Sequence, residues 1–138
     1  MQKDDLTIYC DGGSRGNPGP AAAAFVVKEG KEVIDKGSRF LGTKTNNVAE
    51  YNSVIMGLDW LVSNKRKEKK TFFVLDSQLV TRQLNGEYKI KNENLRPLAM
   101  KAKTLEKKIG REIVYTWSSR INNEMADQLV NEELDKNL

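Results

Sequence analysis

The sequence predicts an α/β domain built on a five-stranded mixed sheet, in which three antiparallel strands are joined by parallel ones and helices flank the sheet. Three observations predict it. Two short apolar runs, residues 6–10 and 71–75, each end in an aspartate. Further strand-like runs follow the first of them with no room for a helix between. Apolar residues at helical spacing then separate the later runs, which is the pattern of crossover connections and parallel pairing.

In the first run Leu6, Ile8 and Cys10 alternate with Thr7, Tyr9 and Asp11, the period of two of a strand. Gly12, Gly13, Gly16, Pro18 and Gly19 then break regular structure. Asp11 is thereby expected at a strand end, beside a loop whose backbone can approach a ligand closely. The loop is not a nucleotide-phosphate loop, which needs Lys followed by Ser or Thr at the mouth of a helix. Residues 21–27 instead run into Val26 and Val27 as a second strand, and a dinucleotide fingerprint fails for the same reason.

A polar turn at Glu29, Gly30 and Lys31 leads to a third strand over residues 33–41, completing a meander. Residues 43–47 open a helix that Asn46 or Asn47 can cap, with Tyr51, Ile55, Leu58 and Val62 as its apolar face. Glu50 is expected in its first turn. The charge run NKRKEKK at residues 64–70 reads as a solvated link to the next strand, because it lies at the opposite end of that strand from Asp76.

Residues 71–76, TFFVLD, end in Asp76, and a short helix over 77–84 stops at Asn85-Gly86. Leu95, Leu98, Ala102, Leu105 and Ile109 mark a helix over 94–109, closed by Gly110. Residues 112–117 form a last strand, and a helix over 123–135 buries Ala126, Leu129, Val130 and Leu134, with Asp127 in its first turn.

Composition narrows the chemistry. The 138 residues are expected to form one domain, 1–138, without a membrane span or a signal-like start, and hence to be cytoplasmic. A single cysteine, Cys10, excludes an internal disulfide. Histidine is absent, which excludes Ser-His and Cys-His nucleophilic machinery and His-rich zinc sites. Catalysis would have to come from carboxylates, lysines or a bound metal. The formal charge is +4, and the excess is local: residues 85–111 hold eight Lys and Arg against Glu87, Glu93 and Glu106, a net +5. Such a balance suits a polyanionic partner.

Parallel strands followed by crossover helices present their carboxyl ends along one edge, where ligands bind. Asp11 and Asp76 are expected to converge there. Taken singly, Glu50 and Asp127 read as acids stabilised by a helix dipole, and Asp76 as a helix cap.

Four motifs in order give these residues a context: DGGSRGNPG at 11–19, TNNVAEY at 45–51, DSQL at 76–79 with QLNGEY at 83–88, and Arg120, Asn123 and Ala126-Asp127 near the end. Through them, over residues 6–134, the chain resembles the type 1 ribonuclease H family, in the compact form of archaea and many bacteria. The resemblance implies the ribonuclease H-like fold. It also implies that Asp11, Glu50, Asp76 and Asp127 are catalytic, metal-binding carboxylates holding two Mg²⁺ ions, for which Mn²⁺ can substitute. All-oxygen ligation favours such hard cations, and two of them can clamp a scissile phosphate. Asp11 would bridge the two.

The implied activity is endonucleolytic hydrolysis of the RNA strand of RNA·DNA hybrids, leaving 5′-phosphate and 3′-hydroxyl ends, by a monomer. The resemblance places Ser14, Arg15, Gly16 and Asn17 as a backbone-led reader of the RNA strand. Asn46, Asn47 and Gln78 would join it at the minor groove, where 2′-hydroxyls distinguish RNA from DNA. Thr45 would help to hold a DNA-strand phosphate, and Arg120 and Asn123 complete the substrate-binding set.

Two departures qualify the pattern. Many relatives carry a flexible histidine after the last strand. Here Arg120 stands in that loop, a permanent cation that cannot act as a base. The basic protrusion of longer relatives is replaced by a short link, residues 85–93, whose Lys89 and Lys91, with the lysines of the next helix, can offer partial substitutes for its phosphate contacts. Alternatives are the same fold cutting double-stranded RNA as well, a hybrid-binding module that does not cut, and DNA strand transfer, against which the groove-reading amides argue.

Overall fold

The computed structural model describes residues 5–66, 68 and 70–138. Strands β1 (Leu6–Ser14), β2 (Gly19–Glu29) and β3 (Glu32–Lys44) precede helix α1 (Asn46–Ser63). Strand β4 (Lys70–Leu75) is followed by α2 (Gln78–Leu84) and α3 (Arg96–Ile109), and β5 (Glu112–Trp117) by a 3₁₀ turn (Arg120–Asn123) and α4 (Glu124–Lys136). The sheet order is β3-β2-β1-β4-β5. β1 pairs antiparallel with β2, and β2 with β3, whereas β1–β4 and β4–β5 are parallel. The mixed sheet and the element order match the expectation.

The alternation in β1 accounts for the two faces. Leu6, Ile8 and Cys10, all fully buried, pack with Phe73 and Leu75 of β4 against Tyr51, Val54 and Leu58 of α1. Gly57 makes that approach close, since a Cβ there would lie 2.8 Å from the Phe73 ring. On the other face Ala22 and Ala24 receive Val130 and Leu134 of α4. Residues 21–24, all alanine and all fully buried, let β2 be covered on both sides without holding the helices off.

Several boundaries differ from the sequence reading. β1 does not stop at Asp11: Gly12, Gly13 and Ser14 continue it, opposite Ala23, Ala22 and Ala21. Pairing with a neighbouring strand supplies the hydrogen bonds that make glycine acceptable there. Only the partnership with β4 ends, at Cys10 opposite Leu75. Asp11 therefore sits at a fork between strands. β3 is longer than expected and carries two register shifts against β2.

The cap of α1 is Thr45, whose hydroxyl accepts from the Val48 N–H at 3.3 Å, because Asn46 is engaged elsewhere. Glu50 consequently lies beyond the first turn and is 5% exposed, so a helix-dipole reading does not describe it. Ser77, not Asp76, caps α2, leaving the Asp76 side chain free for the sheet edge. α3 begins at Arg96 with Pro97 in its first turn, and the 3₁₀ turn delays α4 to Glu124.

Within the charge run, Arg66 pairs with Glu29 and Glu68, and Arg111 donates to the carbonyls of Arg66 and Glu68. Lys67 and Lys69 lie outside the described residues. No helix among the described residues is long and apolar enough to cross a membrane.

Candidate active site

Three of the four predicted acids meet at the fork. Asp11 comes from β1, Glu50 from α1 and Asp76 from the end of β4, and one carboxylate oxygen from each lies within 4.8 Å of the other two. Asp11 is 4% exposed and Glu50 5%, so these charges are largely removed from water. Burial, followed by the neighbouring Asp76 and then the Asp127 carboxylate, pushes the Asp11 carboxyl up to about 8. Glu50 is raised well above the usual carboxylate range by burial and then by Asp11 and Asp76, against which the Gly12 N–H works.

That N–H donates to Glu50 Oε1 at 2.9 Å and aims the side chain into the cluster. The other oxygen, Oε2, is buried with no hydrogen-bond partner among the described residues. A buried carboxylate oxygen without a donor is costly unless a cation or a proton meets it. Arg120 is the nearby cation, its Nε 3.6 Å from Asp76 Oδ2, but its side chain is 77% exposed and offers weak compensation. The donor set is all oxygen, crowded and anionic, and therefore fits a hard divalent ion.

Asp127, in the first turn of α4, stands outside this tight set yet close enough for its charge to raise Asp11. Asn131 reaches back one turn to donate to the Asp127 carbonyl at 3.1 Å and, at 3.5 Å, to its Oδ2.

The loop residues interlock with the start of α1. Ser14 donates to Asn46 Oδ1 through its N–H at 2.8 Å and its hydroxyl at 3.0 Å, and the Asn46 N–H donates to Asn17 Oδ1 at 3.0 Å. Both amide oxygens are thus occupied, while the NH₂ groups of the exposed Asn17 and Asn46 have no protein partner among the described residues. Gly16 turns the loop with φ of +99°, a conformation that favours glycine. Asn47 is half-buried near this edge, and Gln78 opens α2 exposed to solvent.

Two predicted contacts are engaged by other parts of the chain, Arg15 at the surface and Asn123 in the interior. Arg15 turns to α4, with its guanidinium 2.7 Å from Asp135 and 3.4 Å from the Asn131 carbonyl. Asn123 is 1% exposed, and its amide donates to the Cys10 carbonyl at 2.7 Å. It ties the end of the 3₁₀ turn to β1 one residue before Asp11.

Sequence reasoning missed Trp117. Its indole N–H donates to the Asp76 carbonyl at 3.2 Å, and the ring is 52% exposed beside the acids. Alternation along β5 gave no sign of this, because the contact depends on where β4 ends next to it. The close approach behind Gly12 was equally hidden: a Cβ there would lie 2.2 Å from the Ala49 carbonyl carbon and oxygen.

Comparison with known proteins agrees with this geometry. A family model described as RNase H matches residues 3–135. The chain is 39% identical over 132 residues to the bifunctional protein Rv2228c of Mycobacterium tuberculosis, covering 94% of this chain and 35% of that one. It is 37% identical over 128 residues to ribonuclease HI of Halobacterium salinarum, covering 92% and 63%. It thus spans about a third and under two thirds of the length of these curated relatives. Among solved structures, LC11-RNase H1, isolated from compost by a metagenomic approach and crystallised with an RNA/DNA hybrid, superposes with a TM-score of 0.90 at 35% identity, covering 96% of this chain and 98% of that one. With this match running through the strands and helices that carry all four acids, the chain belongs to the RNase H family.

Proposed function

We propose that the chain is a metal-dependent endonuclease that hydrolyses the RNA strand of RNA·DNA hybrids. The observation that carries the reading is the cluster of Asp11, Glu50 and Asp76, the first two buried, in which Glu50 Oε2 has no hydrogen-bond partner among the described residues. The RNA/DNA hybrid in the LC11-RNase H1 complex supports the substrate class.

Asp11, Glu50, Asp76 and Asp127 would hold two Mg²⁺ ions, or Mn²⁺ in their place. When bound, such ions supply a water of lowered pKa and Lewis-acid stabilisation of the departing oxygen, so that 5′-phosphate and 3′-hydroxyl ends result. The residues do the rest. Gly12 and Asn123 fix the two sides of the fork, which sets the direction of Asp11 and Glu50 before substrate arrives. Arg120, beside Asp76 and exposed, is placed to meet a phosphate. No side chain here is a histidine, so protons leave through water and the carboxylates.

Discrimination would fall to the interlocked loop. The free NH₂ groups of Asn17 and Asn46, with those of Asn47 and, at the start of α2, the exposed Gln78, are donors of the kind that reads 2′-hydroxyl oxygens in a minor groove. Thr45 lies next to them as the cap of α1, at a helix N-terminus that favours phosphate.

The direct test is one gel comparing labelled RNA·DNA hybrid, double-stranded RNA and double-stranded DNA with Mg²⁺. Cleavage of the hybrid's RNA strand with DNA duplex left intact is expected. Equal cutting of all three, or no metal-dependent cutting of hybrid, overturns the reading.

A further inference from the structure

A second concavity lies away from the acids. The Asn85-Gly86 turn ends α2, and the link that follows folds Ile90 back onto the core before α3 begins. This leaves a cleft of about 450 Å³ between the link, α2 and α3. Leu84, Ile90, Ala99 and Met100 form its apolar wall. Met100 is 70% exposed, an unbranched side chain on an open surface that can adapt to what packs on it.

Cations ring the opening, and their surroundings differ. Arg96 donates through Nε to the Ile90 carbonyl at 2.9 Å, and Lys103 donates to the Leu84 carbonyl at 2.9 Å; these bonds hold the walls. Lys107 lines the same cleft with no ion pair among the described residues. Glu106, the acid of α3, is turned toward Tyr115, whose hydroxyl donates to it at 2.7 Å, and toward Lys103. The local charge is therefore strongly positive around an apolar floor, within the segment that holds a net +5.

We infer that this cleft docks an acidic protein segment that carries an aliphatic or aromatic anchor. Charge complementarity selects the acidic flanks, and the apolar wall selects the anchor. A duplex nucleic acid would satisfy the cations equally well through its phosphates but would leave the apolar floor of Leu84, Ile90, Ala99 and Met100 unfilled, whereas an anchored acidic segment meets both. None of Asp11, Glu50, Asp76 and Asp127 lines the cleft, so occupation leaves the acid cluster open.

The probe is an acetylated, fluorescein-labelled peptide of aspartate and glutamate with a central Leu-Phe pair, titrated into the whole chain by fluorescence anisotropy. A matched peptide with Gly-Ser at the centre reports charge alone. The anchored peptide is expected to bind at least about tenfold more tightly than the control, and Met100→Asp to remove that advantage while hybrid cleavage stays at the wild-type rate. Amide shifts on peptide addition should centre on Leu84, Ile90, Ala99 and Met100, which reads the site without any variant. Equal binding of the two peptides, unchanged binding by a folded Met100→Asp, shifts elsewhere, or no binding at millimolar peptide each overturns the inference. So does an uncleavable all-DNA duplex or hybrid that shifts the same amides as strongly, which would assign the cleft to nucleic acid.

Discussion

The backbone N–H of Gly12 donates to Glu50 Oε1 at 2.9 Å, across a contact between β1 and α1 too close for any side chain. One bond thus sets the height of the helix over the sheet and the aim of a buried acid.

Gly12→Ala tests that relationship. The added Cβ would sit 2.2 Å from the Ala49 carbonyl, so α1 must move. A loss on the order of 3 kcal/mol in a denaturant titration is expected, at the upper end of overpacking costs. Cleavage should fall further than stability alone explains, because Glu50 loses its guide.

The ion-free protein should be destabilised as pH rises. Asp11 is pushed up to about 8, above its usual 3.8, so the folded state holds a proton that the unfolded chain has already released between those values. Unfolding then sheds protons, and stability is highest below about pH 4 for this group and falls until about pH 8. Glu50 shifts in the same direction. Melting in EDTA from pH 5 to 8 should show a falling Tm. Asp11→Asn should flatten that slope and raise the ion-free Tm at pH 8 by several degrees, at about 4 °C per kcal/mol for a chain of this size. Mg²⁺ should raise the wild-type Tm more at pH 8 than at pH 5, since a cation competes with the proton.

Asn123→Ala separates clamping from substrate contact. Losing the buried bond to the Cys10 carbonyl leaves that acceptor unsatisfied and should cost about 1–3 kcal/mol. The KM for hybrid should stay within about twofold, because the side chain is 1% exposed. A large KM change in a folded variant would instead support a substrate contact by Asn123.

Asn46→Ala removes the acceptor of both Ser14 bonds together with a free donor. Stability should fall by about 1 kcal/mol, as for an ordinary exposed hydrogen bond. Hybrid cleavage should drop by roughly ten- to a hundredfold, mainly through kcat/KM, if the amide reads the groove. Asn46→Asp keeps the acceptor for Ser14 but replaces the donor with a negative charge, so it should spare stability while cleavage falls at least as far as in Asn46→Ala.

How much of this was legible in the sequence follows from what each feature depends on. Period-two runs and helical spacing depend on the residues themselves, and the order of elements follows from them. The acids were named by motif, and local logic reached only Asp11 and Asp76. Glu50 could not be read as a ligand from helix position, since its direction depends on a glycine 38 residues earlier. Arg15 and Asn123 looked available as polar loop residues; both are engaged by elements distant in the chain, α4 and β1, a relation that spacing does not carry. Thr45 as cap in place of Asn46 has the same origin, because Ser14 competes for the Asn46 side chain.

The central claim is that the acid cluster cuts the RNA strand through bound cations. Its most direct measurement is the single-turnover rate of 5′-labelled RNA in a hybrid, for wild type and Asp76→Asn, across a Mg²⁺ titration and with EDTA. The account predicts cleavage that requires Mg²⁺ and falls by at least about a thousandfold in the variant while hybrid binding persists. Cleavage in EDTA, or an undiminished rate in Asp76→Asn, would contradict it.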